Sequence, residues 1–226
     1  PDANALDIVG NIEIVCRVGL NNWTPATTTT LVSKRGSASQ ISYHLYVTTA
    51  GILTLEWSTN GTTVTTQASS APALTNGTTY WIKATMNVAS GANRVITFYK
   101  AADATTEPTT WTTVSTHTVA GTTSIFSGTA PLEIGSYNAG ATNFAAGRFH
   151  RAIVRNGIAG TTVFDADFMP PPGWPMLPSS SCTSAPVRMI CEPWLCWVQP
   201  SAYMIVMTRL GFEVSAIISQ TFRNLS

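Results

Sequence analysis

The chain has 226 residues, 44% of them apolar and only 10% charged, with a formal net charge of +1, so it can bury one sizeable core or two small ones. Twelve Lys and Arg balance eleven Asp and Glu without a basic run, which argues against nucleic acid as a partner because gripping phosphates takes a clustered positive stripe. No run of about 18 uncharged apolar residues occurs, so no membrane span is expected, and residues 1–5 lack the basic start and apolar stretch of a signal peptide.

In chain order, the first expected strand covers 12–18, where Ile12, Ile14, Cys16 and Val18 point one way and Glu13 and Arg17 the other. A second candidate covers 42–47. At 53–57, Leu53, Leu55 and Trp57 alternate with Thr54 and Glu56. At 80–88, Tyr80, Ile82, Ala84, Met86 and Val88 share one face, which leaves Trp81, Lys83, Thr85 and Asn87 on the other. Segments 94–100, 111–119, 132–136, 148–155 and 161–168 follow, and the period of two predicts about eleven strands with one face on a core.

Turn signals punctuate these runs at Asn60-Gly61, Asn76-Gly77, Asn156-Gly157 and Ala50-Gly51. Asn-Gly takes the positive φ angles of a tight hairpin, so adjacent strands are expected to be antiparallel neighbours. No stretch before Phe168 keeps a helical period for three turns. Many short strands in one domain of about 170 residues mean a two-sheet sandwich or a barrel. Thr makes up about a fifth of this region; its branched side chain favours extended backbone and its hydroxyl suits a wet sheet face.

The composition breaks near Phe168. Beyond it come five of the six Met, three of the four Cys and a cluster of Pro170, Pro171, Pro172, Pro175 and Pro178. The expected domains are therefore 1–168, a β-sandwich, and 169–226, an atypical extension of unknown structure. Cys16 reads as a buried thiol. Cys182, Cys191 and Cys196 are spaced neither as a zinc site nor as a dense disulfide framework, and one disulfide among them is the alternative to free thiols. Residues 202–222 are apolar enough to pack as a buried helix or strand pair, but Arg209 and Glu213 interrupt them as a membrane anchor.

Several phrases in combination resemble the concanavalin A-like lectin and laminin G-like jelly rolls, particularly versions found in bacteriophage virion proteins and actinobacterial proteins. They are ALDIVGNIEIVCRVGLNNWTP, TLVSK, YWIKATMNVASGANRVITFYK, WTTVSTHTV and PLEIGSYNAGATNFAAGRFHRAIVRNGIAGTTVFDADF. The resemblance covers roughly residues 1–168 and implies an all-β fold, a two-sheet antiparallel jelly-roll sandwich. Such domains continue past a phrase like DADF into a strand that pairs back near the N-terminus. The continuation here does not look like that strand, so the last 58 residues are either a docking extension or the product of a fusion or shifted frame. An unpaired edge near the N-terminus, and association through it, are then expected.

Jelly-roll glycosidases of this superfamily set paired carboxylates on one strand. Asp165-Ala166-Asp167 is the nearest match, but with Phe164 and Phe168 facing the core both Asp side chains point outward, and Glu13, Glu56 and Glu133 stand on separate strands as ordinary solvated carboxylates. His44, His117 and His150 fall on three different strands with no Gly-x-Ser-x-Gly phrase, and His150 reads as half-buried and satisfied. No catalytic residue is expected. The resemblance implies that the loop 136–146 occupies a rim position where related domains bind metal or ligand, yet it offers Asn138 and Asn143 without a carboxylate, and Asp103 with Glu107 belongs to another loop. No cofactor is expected, with calcium the ion such a rim would take.

Sugar binding needs aromatic faces with amides and hydroxyls beside them. The candidate ligand residues are Trp23, Trp111, Tyr137 and Asn138. Against this, Trp23 also reads as a plug at the end of the sandwich. Asn22-Trp23-Thr24, Asn60-Gly61-Thr62 and Asn76-Gly77-Thr78 match glycosylation sequons, although turn chemistry accounts for the last two. The expected function is a non-enzymatic structural or attachment module on a virion surface, in a capsid or tail. Its partners would be other virion proteins, copies of itself, or, weakly, a cell-surface glycan. The alternatives are a carbohydrate-binding module of a secreted bacterial protein and, less favoured, a glycoside hydrolase.

Overall fold

A computed structural model describes residues 2–37 and 39–169, and beyond them only the backbone of a short hairpin, Ile190–Glu192 with Leu195–Trp197. Within residues 2–169, after a 3-10 turn at Asn4–Leu6, the described residues form eleven strands. These are β1 (Ile12–Leu20), β2 (Thr29–Arg35), β3 (Ile41–Val47), β4 (Leu53–Ser58), β5 (Val64–Ala68), β6 (Thr79–Ser90), β7 (Asn93–Ala102), β8 (Thr112–Ala120), β9 (Leu132–Ile134), β10 (Gly147–Asn156) and β11 (Thr161–Asp167). They build a six-stranded sheet, β11-β10-β1-β6-β7-β8, and a five-stranded sheet, β5-β4-β3-β2-β9, with every pairing antiparallel. The fold is thus all-β, one of the two architectures the alternation left open, and it is the two-sheet jelly-roll sandwich that the resemblance implied.

The core lies where the inner faces meet. Ile12, Ile14, Cys16 and Val18 of β1 and Ile82, Ala84 and Met86 of β6 pack against Tyr43, Leu45, Val47, Leu53, Leu55 and Trp57 of the other sheet. Burying each large side chain contributes about 1.5–3 kcal/mol, which is why a period of two fixes the register. Cys16 is free and buried, and burial pushes its thiol up to about 12. Phe164 and Phe168 pack on the same core, so Asp165 and Asp167 point outward as expected.

Four expectations are corrected. The first strand is not an edge: β1 pairs with β10 on one side and β6 on the other, so among the described residues the N-terminal strand is not left unpaired and the argument for association through it falls. The pair Asn76-Gly77 does not close a hairpin, because β5 and β6 lie in different sheets; Asn76 instead accepts a hydrogen bond from the backbone of Trp23. Two strands lie outside the expected segments: β2, and the edge strand β5, whose sequence VTTQA carries no apolar alternation.

The fourth correction concerns the outer face of the six-stranded sheet, which is not the wet face. Trp81, read as outward and polar-facing, is 0% exposed and packs with Val15 and Ile153 in a second small core, joined by Ala101 and Trp111. The β7–β8 connection straps it down: Trp81 Nε1 donates to the Ala104 carbonyl at 2.9 Å, Arg17 pairs with Asp103 at 2.6 Å, and Arg155 bridges Glu13 and Glu107 at 2.5 and 2.6 Å. Glu13 is buried under this strap rather than solvated.

Backbone register in the hairpin of β12 (Ile190–Glu192) and β13 (Leu195–Trp197) sets Cys191 opposite Cys196. The alternative of a disulfide among Cys182, Cys191 and Cys196, the proline cluster and the packing of 202–222 lie outside the described residues.

Candidate functional site

One end of the sandwich is built from two loops, 21–28 between β1 and β2 and 135–146 between β9 and β10. They are tied together by Asn21 N donating to the Ala146 carbonyl at 2.9 Å, and the second is tied to β2 by Thr30 N donating to the Asn143 carbonyl at 3.0 Å. Trp23 anchors the first loop. Its ring is 1% exposed, its Nε1 donates to the Thr78 carbonyl at 3.1 Å, its backbone N donates to Asn76 Oδ1 at 2.7 Å, and it meets Tyr80 edge-on with centroids 5.9 Å apart. Trp23 is therefore the plug, and its buried ring has no face to offer a ligand.

The second loop owes its shape to Glu133. The carboxylate accepts from Ala139 N at 2.8 Å, Gly140 N at 2.7 Å and Ser136 Oγ at 3.1 Å, and so pins a turn in which Asn138 and Ala139 both take positive φ, 61° and 57°. A positive φ at non-glycine residues costs energy and persists only where surrounding bonds hold it. Glu133 is thus a cap for this loop and not a free carboxylate. Asn138 donates its backbone N–H to the Arg35 carbonyl at 3.0 Å, and its place in the turn is conformational.

Tyr137 is not an open stacking platform. Arg35 lies over its ring, 4.6 Å from the centroid, and the His44 ring sits 5.1 Å away. Behind them, on the outer face of the five-stranded sheet, Arg35 Nη1 pairs with Glu56 at 2.5 Å and His44 Nε2 meets Thr30 Oγ1 at 3.0 Å. Burial lowers the His44 pKa and Arg35 adds to this, while Glu56 opposes it. Glu56 is itself buried, because an arginine and the loop cover a sheet face that alternation alone assigns to water. Trp111 stands elsewhere, on the strap over the other sheet, with the Lys83 ammonium 4.2 Å from its ring centroid and Tyr99 edge-on at 6.5 Å. The four expected ligand residues are therefore not brought together.

The two loops do enclose a shallow depression of about 220 Å³, lined by Asn21, Asn22, Pro25, Ala26, Thr27, Thr29, Phe144 and Ala146. It is smaller than the roughly 300–1,000 Å³ of drug-sized pockets. Phe144 stands at its edge, 63% exposed. Asn22 Oδ1 is spent within the loop, accepting from Thr24 N at 2.8 Å and Thr24 Oγ1 at 2.9 Å, so its amide N–H groups are what it can offer a ligand. The arrangement presents an aromatic face beside amides and hydroxyls. Phe144 was not among the expected residues; a lone aromatic in a segment otherwise of Thr, Asn, Ala and Gly was the available signal.

The acidic groups are engaged elsewhere. Asp165 pairs with Arg151 through both oxygens, at 2.8 and 2.7 Å, and Asp167 accepts from Met169 N. The three histidines are apart: His44 on β3, His117 bonded to Ser115 on β8, and His150 on β10, buried beside Met169. Among the described residues no three His, Cys, Asp or Glu side chains gather in a metal-holding group.

No protein-family model matches the chain, and no curated protein does. Among solved structures it is similar to the CBM40 of the Ruminococcus gnavus IT-sialidase bound to α2,3-sialyllactose, at 15% identity over 68% of this chain and 78% of that one, with a TM-score of 0.47. The same module without that ligand gives 14%, 66%, 77% and 0.45. A native heptameric SAP-like pentraxin from Limulus polyphemus gives 12%, 70%, 70% and 0.39. At these identities and scores no residue role and no ligand passes from them to this chain.

Proposed function

We propose that the chain is a non-enzymatic glycan-binding module whose ligand seats in the depression between loops 21–28 and 135–146. The observation that carries this reading is the exposure of Phe144 at the mouth of a depression otherwise lined by amides, hydroxyls and small apolar groups. A sugar ring has an apolar C–H face and a polar edge, and such a site complements both. The engagement of these acids supports the proposal: Glu13, Glu56, Asp103, Glu107 and Asp165 each face an arginine and Glu133 holds backbone N–H groups, so a carboxylate pair for glycoside hydrolysis built from any of these six would have to be drawn out of these bonds. In many copies on a particle or a secreted protein, modest affinity per site multiplies.

The test is a glycan array followed by calorimetric titration of the full chain and of Phe144→Ala. A defined sugar bound by the native chain and weakened roughly tenfold or more by the substitution, at unchanged melting temperature, supports the proposal. Silence on the array together with co-purification in particles favours a purely structural virion role instead.

A further inference from the structure

All eight residues lining the depression are uncharged. Four of them, Pro25, Ala26, Phe144 and Ala146, offer apolar surface; the other four, Asn21, Asn22, Thr27 and Thr29, offer amide or hydroxyl groups. Arg35, which pairs with Glu56 at 2.5 Å and lies over the Tyr137 ring, and Arg148, two residues past Ala146 in sequence, are not among the lining residues. A carboxylate or sulfate brought here would lose hydration without meeting a guanidinium or ammonium, and a desolvated charge left unpaired costs far more than amide contacts return.

Resting on the reading of this depression as the glycan site, we infer that it selects neutral sugars, hexoses or N-acetylhexosamines, and rejects sialylated, uronate and sulfated ones. The sugar's C–H face lies on Phe144. Its hydroxyl or acetamido oxygens accept from the Asn22 amide, whose own oxygen is already taken by Thr24. Because no ion pair forms, affinity is independent of salt.

The full chain is screened on an array carrying neutral glycans and their acidic counterparts, lactose beside sialyllactose and chitobiose beside sulfated disaccharides among them. The best ligand of each class is then titrated at about 50 and about 500 mM NaCl, conditions between which surface charge pairing is largely screened out. The expected result is that the best neutral ligand binds at least roughly tenfold tighter than the best acidic one, changes by less than about twofold with salt, and loses at least roughly tenfold in Phe144→Ala. Acidic glycans binding as tightly or more so, with affinity that falls as salt rises and is lost in Arg148→Ala, would overturn the neutral class while leaving glycan binding intact. Binding of neither class overturns the glycan reading and this inference with it. Neutral binding untouched by Phe144→Ala also overturns the inference, since the sugar then sits elsewhere on the chain.

Discussion

The guanidinium carbon of Arg35 lies 4.6 Å from the centroid of the Tyr137 ring. The same arginine donates through Nη1 to Glu56 at 2.5 Å, so one side chain both neutralises a buried carboxylate and clamps the loop that carries Phe144. Arg35→Ala would strand Glu56 without its cation and is expected to cost about 2–4 kcal/mol, below the full penalty for breaking a buried pair because the arginine keeps some exposure. Tyr137→Leu keeps the ion pair but removes the stacked ring; it is expected to cost about 1 kcal/mol in stability and to weaken the glycan severalfold. Urea unfolding and titration on both variants check this. A Tyr137→Leu chain with native affinity would show that the loop holds its shape without the clamp.

Lys34, the residue before Arg35 on β2, has a fully buried ammonium. Nζ donates to Asp2 at 2.7 Å, to the Ala130 carbonyl at 2.9 Å and to the Gly128 carbonyl, with Asp7 at 3.2 Å. It thereby ties the N-terminal segment and the 128–130 connection to β2. Lys34→Met matches the length but leaves two carboxylates and two carbonyls unpaired, and about 3–5 kcal/mol of stability is expected to go. Chemical denaturation measures it, and a loss below about 1 kcal/mol would mean that water satisfies these groups instead.

Stability should fall with acid in two stages. Burial holds His44 and His150 below the ordinary histidine value of 6.5, so unfolding takes up protons and stability declines as the pH drops below that value. Arg151 and Arg17 hold Asp165 and Asp103 below the ordinary 3.8; their contribution is present above that value and is lost as the pH falls through the lower folded values. Unfolding free energies from about pH 8 to about pH 3 should show both stages. His44→Gln should shrink the upper one, and an unchanged slope in that variant would remove His44 from the account.

How much of this was legible in the chain follows from which side chains obey a period of two. Ile12, Ile14, Cys16 and Val18 alternate because only one face of β1 meets the main core, and the architecture follows from such runs. Val15 and Trp81 break the rule because a connection folds back over the outer face, a long-range event that no local pattern encodes. The same holds for Glu56 and Arg35, whose covering comes from a loop about a hundred residues away. Trp23 and Tyr137 looked like ligand platforms because aromatic residues outside strands usually need a reason. For both the reason is packing, and among the described residues the exposed ring is Phe144, which has no periodic context at all.

The strap itself gives the sharpest test of the second core. Trp81 is sealed between the sheet and the 103–111 connection and gives its N–H to Ala104. Trp81→Phe keeps a ring and loses one hydrogen bond, so about 1–2 kcal/mol is expected. Trp81→Ala opens a cavity against Val15 and Ile153 and should cost about 3–5 kcal/mol. Once the ring is gone, the connection is held to the sheet by Arg155 through Glu107 at 2.6 Å, by Arg17 through Asp103 at 2.6 Å and by the Trp111 ring beside Lys83 at 4.2 Å. Both ion pairs reach solvent, so they are worth little by themselves. Hydrogen exchange in 103–111 should therefore accelerate selectively in Trp81→Ala, ahead of the β1 and β6 amides. Uniform acceleration across both sheets would mean that the strap and the sandwich unfold as one unit, and the outer cluster would then be a continuation of the main core.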